Sequence, residues 1–228
     1  MIIHDCKQYS EEWWNLRRGV PTASRANEIV TPKKGDLSTQ VRALINSMIA
    51  EALEVQSDPM EATEWMLRGT ELEPEARSMF EAEKDVDVVE VGFISNRFGD
   101  KGEAVMGCSP DGLVHPFTNR GGKPTAQAGF EVKCPKAETQ IGYVLGGGLP
   151  EYYKPQVHMS MAVTGITKWW FMSYHPNLEP LIVPVAWDEY TDKVKGALDQ
   201  LALRLASARA RFNLPDTPEA HQELELPF

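Results

Sequence analysis

The hydrophobic pattern of this chain changes period near residue 85, and that change constrains the fold more than any other feature of its 228 residues. Upstream, apolar side chains recur at helical spacing. Val41, Leu44, Ile45, Met48, Ile49 and Ala52 form one stripe behind a cap at Ser38 or Thr39. Residues 61–84 continue as a helix with Leu72, Ala76, Met79 and Phe80 on one face. A shorter helix precedes them, capped by Ser10, with Glu11 and Glu12 in its first turn and Gly19 at its end; Thr22-Ala23-Ser24 starts another. Downstream the chain is β-rich at Val86, Val88, Val89, Val91, Phe93 and Ile94, then at 104–106, 130–132, 168–174 and 181–185. Helices are predicted over 137–146 and 151–163, and over 188–212 with Leu198, Leu201, Leu205 and Phe212 periodic. Helices, then a sheet, then helical crossovers make an α/β core, a central mixed sheet flanked by helices. Residues 1–212 read as a single domain, and the Pro- and Glu-rich 213–228 as a loose tail.

A net charge of −10 by itself disfavours an anionic partner, but the acid excess is local. Residues 51–90 hold three basic and thirteen acidic side chains, whereas 1–50 hold seven and five, and 91–176 hold eight and six. An acidic exterior with a locally basic groove is compatible with DNA binding. No apolar run approaches the ~20 residues that span a bilayer, so no membrane partner is expected. The first residues lack the basic-then-apolar order of a signal peptide. Three cysteines without a Cys-x-x-Cys pair predict a reducing cytosol and exclude a four-cysteine zinc or iron–sulfur site within the chain.

Two short segments carry the chemistry. Asp111 stands in Cys108-Ser109-Pro110-Asp111-Gly112, and Glu131 and Lys133 in Gly129-Phe130-Glu131-Val132-Lys133-Cys134-Pro135. On a strand, Glu131 and Lys133 point to one face. With Asp111 at the end of a neighbouring strand, two carboxylates and an ammonium converge. Two carboxylates suit Mg²⁺, which keeps several waters and binds substrate phosphate directly, and the lysine can activate water or stabilise charge on the phosphate. Ser-Pro-Asp-Gly is equally an ordinary turn, and Glu-x-Lys an ordinary exposed strand face.

Other residues have two readings as well. Glu73 is a carboxylate aimed at the site by a bend or restart at Pro74, or a solvated helix face paired with Arg77. Arg17, Arg18, Ser24 and Arg25 cluster around two helix ends, either as a phosphate site or as cations completing a helix C-terminus. Tyr153 and Gln156 lie one turn apart on the 151–163 helix, facing the metal region or solvent. Lys33-Lys34-Gly35 is a basic loop able to touch a DNA backbone. Trp169-Trp170 reads as a central strand packed on both faces. The five histidines show no metal spacing, and Cys108 and Cys134 read as small packing residues.

Taken together, 16–24 (Leu-Arg-Arg-Gly-Val-Pro-Thr-Ala-Ser), Gly69-Thr70-Glu71-Leu72-Glu73, Cys108–Leu113, Glu131–Pro135 and Tyr153-Lys154-Pro155-Gln156-Val157 resemble the lambda-phage exonuclease family, also called the YqaJ-type viral recombinase nucleases, in order and spacing from about residue 10 to 175. That family belongs to the PD-(D/E)XK nucleases, so the resemblance implies a restriction-endonuclease-like core. It implies a 5′→3′ exonuclease on linear double-stranded DNA that releases 5′ mononucleotides and leaves a 3′ single strand for recombination. It further implies two Mg²⁺ ions per site, replaceable by Mn²⁺, a preference for a 5′-phosphate, a homotrimeric ring around DNA, and a phage single-strand annealing protein as partner. The setting would be the cytoplasm of a bacterial host carrying the phage or prophage. By position, Asp111, Glu131 and the Val132 carbonyl match the metal ligands, Lys133 the water-activating group, Glu73 an additional acid beside the metals, and Gln156 and Tyr153 the active-site helix. Arg17 and Ser24 match the 5′-phosphate pocket, and Met66 falls where an apolar wedge would split the duplex. Arg68 departs from the aromatic residue usual before the glycine. The match fades beyond residue 175. The rival readings are a PD-(D/E)XK endonuclease and a non-catalytic DNA-end clamp.

Overall fold

The computed structural model describes residues 1–55, 64–116 and 126–216, with 64–67 described by their backbone alone. Its β-rich half divides into two sheets. Strands β1 (Ile2–His4), β3 (Phe93–Phe98) and β4 (Ala104–Cys108) form an antiparallel three-stranded sheet in the order β1-β3-β4. Strands β2 (Val86–Val89), β5 (Gly112–Pro116), β6 (Ala128–Lys133), β7 (Lys168–Ser173) and β8 (Leu181–Ala186) form a five-stranded mixed sheet in the order β2-β5-β6-β7-β8. The β-rich stretch 86–94 thus feeds both sheets, with a break at 90–92. Strands β6 and β7 run parallel and the other neighbours antiparallel. A parallel pair needs a long crossover, supplied here by helices α5 (Ala137–Gly146) and α6 (Lys154–Thr164).

Helix α6 is the centre of the molecule. Met159, Ala162 and Val163 pack with Ile94, Phe98 and Met106 of the small sheet and with α3 (Val41–Ala52) and α7 (Glu189–Arg211). Val157 and Met161 pack instead against Trp169 and Phe171 of the large sheet. The other face of the large sheet, with Phe130, Val132 and Met172, is covered by Ala76 and Phe80 of α4 (Glu64–Lys84). Trp169 and Trp170 therefore face opposite layers, as their alternation predicts. Gly129 makes room for this arrangement, because a Cβ there would stand 2.2 Å from the Trp169 ring.

Local signals explain most helix ends. The Ser10 hydroxyl accepts from Trp13 N at 3.2 Å and starts α1 (Glu11–Arg17). Asp188 and Thr191 form a reciprocal capping box on α7. Several expectations are corrected. The helix start at Thr22 yields only a 3₁₀ turn (Ala23–Arg25) and one turn of α2 (Ala26–Ile29), without a side-chain cap. Gln40, not Ser38 or Thr39, precedes α3, with Ser38 Oγ accepting from its amide. Pro74 does not restart α4; it is exposed, so the donor it lacks is missed on the solvent side. Met79 is 40% exposed and Phe212 54%, each at the outer edge of its predicted stripe. The Met66 side chain, residues 61–63 of the predicted helix and most of the predicted tail, 217–228, lie outside the described residues.

Candidate active site

Strands β5 and β6 bring the acidic motifs together. Their ladder pairs Gly112 with Phe130, and Asp111 N donates to Phe130 O at 3.1 Å, so Asp111 continues the pairing one step toward Glu131. Asp111 Oδ2 accepts from Val132 N at 2.7 Å, which fixes the carboxylate against the β6 backbone. The Ser-Pro-Asp-Gly segment is thus more than a turn: it delivers a carboxylate to a neighbouring strand. Glu131 and Lys133 lie on the α6 side of the sheet, opposite Phe130 and Val132. Glu131 is 2% exposed, and its Oε1 accepts from Lys133 Nζ and from Gln156 Nε2, both at 2.5 Å. Gln156 faces the site and not solvent. Tyr153 is the residue that precedes α6, not one inside it; its ring lies 5.6 Å from Lys133 Nζ and 5.4 Å from the Phe171 ring.

Burial sets the electrostatics. It pushes the Glu131 carboxyl up to about 7, partly opposed by Lys133 and reinforced by Asp111. It raises Asp111 as well, against the pull of Lys133 and the Val132 amide. Glu73 is carried to about 7, first by burial and then by repulsion from Asp111, so α4 does place this carboxylate within electrostatic reach of the pair. Burial opposes the charge on Lys133, but Glu131 and Asp111 outweigh it and hold its pKa above the usual lysine value. Burial likewise lifts Tyr153 to about 12. Three desolvated carboxylates still outnumber the two cations within reach, Lys133 and Arg77, which favours an arriving cation. Among the described residues no three His, Cys, Asp or Glu side chains meet at metal-binding spacing. A cation here would therefore take two carboxylates and complete its shell with backbone oxygen and water, the pattern Mg²⁺ accepts.

A second constellation adjoins the first. Arg17 Nη2 donates to Ser24 Oγ at 3.0 Å and to Thr22 Oγ1 at 3.5 Å, and Nη1 to Ser109 Oγ at 3.1 Å. Its guanidinium lies 4.1 Å from the Trp13 ring centroid. Burial lowers Arg17 to about 10. Arg18 and Arg25, by contrast, are paired with Glu54 and with Glu28 and Glu51. Arg25 also reaches the Ser47 hydroxyl, but of the three only Arg17 has hydroxyl partners and no carboxylate in ion-pair contact, a setting open to an anion. Ser109 is two residues from Asp111, so one tripeptide connects the guanidinium to the carboxylates.

Sequence reasoning missed Ser109, Trp13 and Gln8. Trp13 could have been found, since it lies one helical turn before Arg17. Gln8 Nε2 donates to Val91 O at 3.0 Å and Pro110 O at 2.9 Å, a contact across some hundred residues with no local signature. Between Gln8, Tyr9, Glu73, Arg77 and Asp111 opens a cleft of about 460 Å³.

A family model described as the YqaJ-like viral recombinase domain matches residues 12–167. The crystal structure of an alkaline exonuclease (LHK-Exo) from Laribacter hongkongensis is 29% identical, with a TM-score of 0.65, covering 90% of this chain and 98% of that one. A phage related exonuclease from Haemophilus somnus 129PT shares the fold at 12% identity and a TM-score of 0.57, over 87% of this chain and 98% of that one. No curated protein matches the sequence. The core is of the PD-(D/E)XK type, a central mixed sheet flanked by helices. The chain belongs to the YqaJ-like viral recombinase domain family.

Proposed function

We propose that this protein is a Mg²⁺-dependent 5′→3′ exonuclease of phage-type recombination. It acts on linear double-stranded DNA, releases 5′ mononucleotides and leaves a 3′ single strand for annealing. The observation that carries this reading is Glu131 Oε1, held by both Lys133 and Gln156, on the strand whose Val132 amide fixes Asp111. Family membership and the 29% identical alkaline exonuclease support it; that relative has also been solved in complex with dAMP.

Asp111 and Glu131, with the Val132 carbonyl and Glu73 beside them, would hold the metal. Mg²⁺, two ions per site and replaceable by Mn²⁺, supplies Lewis-acid polarisation of the phosphate and an activated water. Lys133 keeps an ammonium beside Glu131, where it orients the attacking oxygen and offsets charge building on the phosphate. Gln156 holds Glu131 in one rotamer, and Tyr153 packs beside Lys133. Water adds to the scissile phosphorus, the P–O3′ bond breaks, and the departing oxygen takes a proton. The products are a mononucleotide and a strand that again ends in a 5′-phosphate. That new phosphate fits Arg17 and Ser24, so each cycle regenerates its own substrate. Met66 would separate the strands ahead of the cut. A homotrimeric ring would retain the DNA topologically, which suits a chain of net charge −10, and a phage single-strand annealing protein would receive the exposed strand. The setting would be the cytoplasm of the bacterial host; no described helix is long and apolar enough to cross a membrane.

The test is digestion of end-labelled, 5′-phosphorylated linear duplex with Mg²⁺, Mn²⁺ or EDTA, beside a closed circle. Metal-dependent mononucleotide release from 5′ ends with the circle intact is the expected result. Cutting of the circle would replace this reading with an endonuclease, and binding without cutting would replace it with an end clamp.

A further inference from the structure

The segment between β1 and α1 forms one wall of the cleft beside Asp111. It is tightly placed. A Cβ on Gly92 would stand 1.9 Å from the Cys6 carbonyl oxygen, so the chain crosses here only because Gly92 has no side chain. Gln8 ties it to the carbonyls of Val91 and Pro110, the latter adjacent to Asp111. Ser10 N closes a turn onto Lys7 O at 3.1 Å, and Tyr9 occupies that turn with φ +66°. A tyrosine in the left-handed region is strained, and such strain concentrates where a side chain must point in one direction. Tyr9 is 48% exposed and lines the cleft, and its ring packs on Trp13 with centroids 5.2 Å apart. Trp13 in turn carries the Arg17 guanidinium.

This placement has a geometric consequence, which rests on the exonuclease reading. If Arg17 holds the terminal phosphate and Asp111 marks the scissile one, the nucleoside joining them must follow the path from Ser109 to Asp111. Gln8, bonded to the Pro110 carbonyl, and Tyr9, packed on the Trp13 ring that carries Arg17, both line the cleft at Asp111. We propose that Tyr9 is the contact for the base of the 5′-terminal nucleotide, its ring stacking on the base that is about to be removed. Stacking accepts any base, since each has a π-face, so the contact serves an enzyme that must remove every nucleotide in turn.

The test compares Tyr9→Phe, which keeps the ring, with Tyr9→Asn, which removes it but tolerates positive φ. The substrates are 5′-phosphorylated duplexes ending in a normal or an abasic nucleotide. Wild type and Tyr9→Phe should release the abasic residue about ten-fold more slowly, the effect of losing one base–aromatic stack. Tyr9→Asn should treat both ends alike, at the slower rate. In a second arm with EDTA, 2-aminopurine at the terminal position should be quenched by wild type and Tyr9→Phe but not by Tyr9→Asn. Equal rates on both ends with wild type, or an abasic penalty and quenching that persist in Tyr9→Asn, would overturn the proposal. Failure of the exonuclease reading would show differently, as no mononucleotide release from either end by wild type, and the fluorescence arm would still decide the base contact.

Discussion

Replacing Arg17 with methionine should separate stability from function. The guanidinium is half-buried and meets three hydroxyl groups and an aromatic ring instead of a carboxylate. Burial lowers its pKa from 12.5 to about 10, so holding the charge in the folded protein costs about 3 kcal/mol at neutral pH. An arriving phosphate can recover that cost through charge-assisted hydrogen bonds from the fork. Loss of the charge should therefore reduce the preference for phosphorylated over hydroxyl ends by up to about 100-fold, the same energy expressed as a ratio. The fold gains instead. Methionine retains much of the contact with Trp13 and forfeits a cation–π interaction of about 1 kcal/mol. A net gain of about 1–2 kcal/mol corresponds to a rise in Tm of roughly 2–8 °C for a chain of this size. The assays are competition between 5′-phosphoryl and 5′-hydroxyl duplexes, and thermal unfolding without DNA. A lower Tm together with an unchanged end preference would refute both halves of the reasoning, because Arg17 would then be structural.

Other substitutions probe the remaining parts. Lys133→Ala should abolish cleavage and leave DNA binding within a few fold; full cleavage would dismiss the site assignment. Gln156→Leu removes a hydrogen bond to buried Glu131, worth about 1.5–3 kcal/mol for a charged acceptor. Turnover should fall roughly ten- to hundred-fold, and an unchanged rate would mean Gln156 does not hold Glu131. His158 is buried, hydrogen-bonds with Thr191 Oγ1 at 2.7 Å, and is lowered to about 4 chiefly by burial. Between that value and 6.5 the unfolded chain binds the proton and the folded one does not, so this contribution to stability is complete above about pH 6.5 and declines as pH falls. At pH 5 the loss is about 2 kcal/mol. Wild type should therefore lose more Tm between pH 7.5 and 5 than His158→Gln; parallel losses would show that His158 titrates normally.

The legibility of the sequence followed the range of the interactions. The α3 stripe, the Ser10 cap and the period-two placement of Glu131 and Lys133 are set within a few residues, and each appears in the structure where the spacing puts it. Asp111 was legible as an acid but its partner was not, because the Val132 amide comes from a strand 21 residues away. Strand β5 hid behind its turn signal, and β1 was too short to show alternation. Pro74 misled for an identifiable reason: proline reports a missing donor, and only exposure tells whether the helix can continue without it. The hydroxyls around Arg17 come from two segments far apart in the chain, Thr22 and Ser24 from one and Ser109 from the other, which no periodicity records.

Helix α6 is packed on one side by the small sheet and on the other by the large one, with a run of buried residues from Val157 to Thr164. A helix so enclosed cannot fray or tilt by itself. Its amides should exchange with solvent only when the whole domain opens, and Gln156 travels with them. Heat inactivation and global melting should then be a single event, so that this enzyme has no state in which it is folded elsewhere yet catalytically slack.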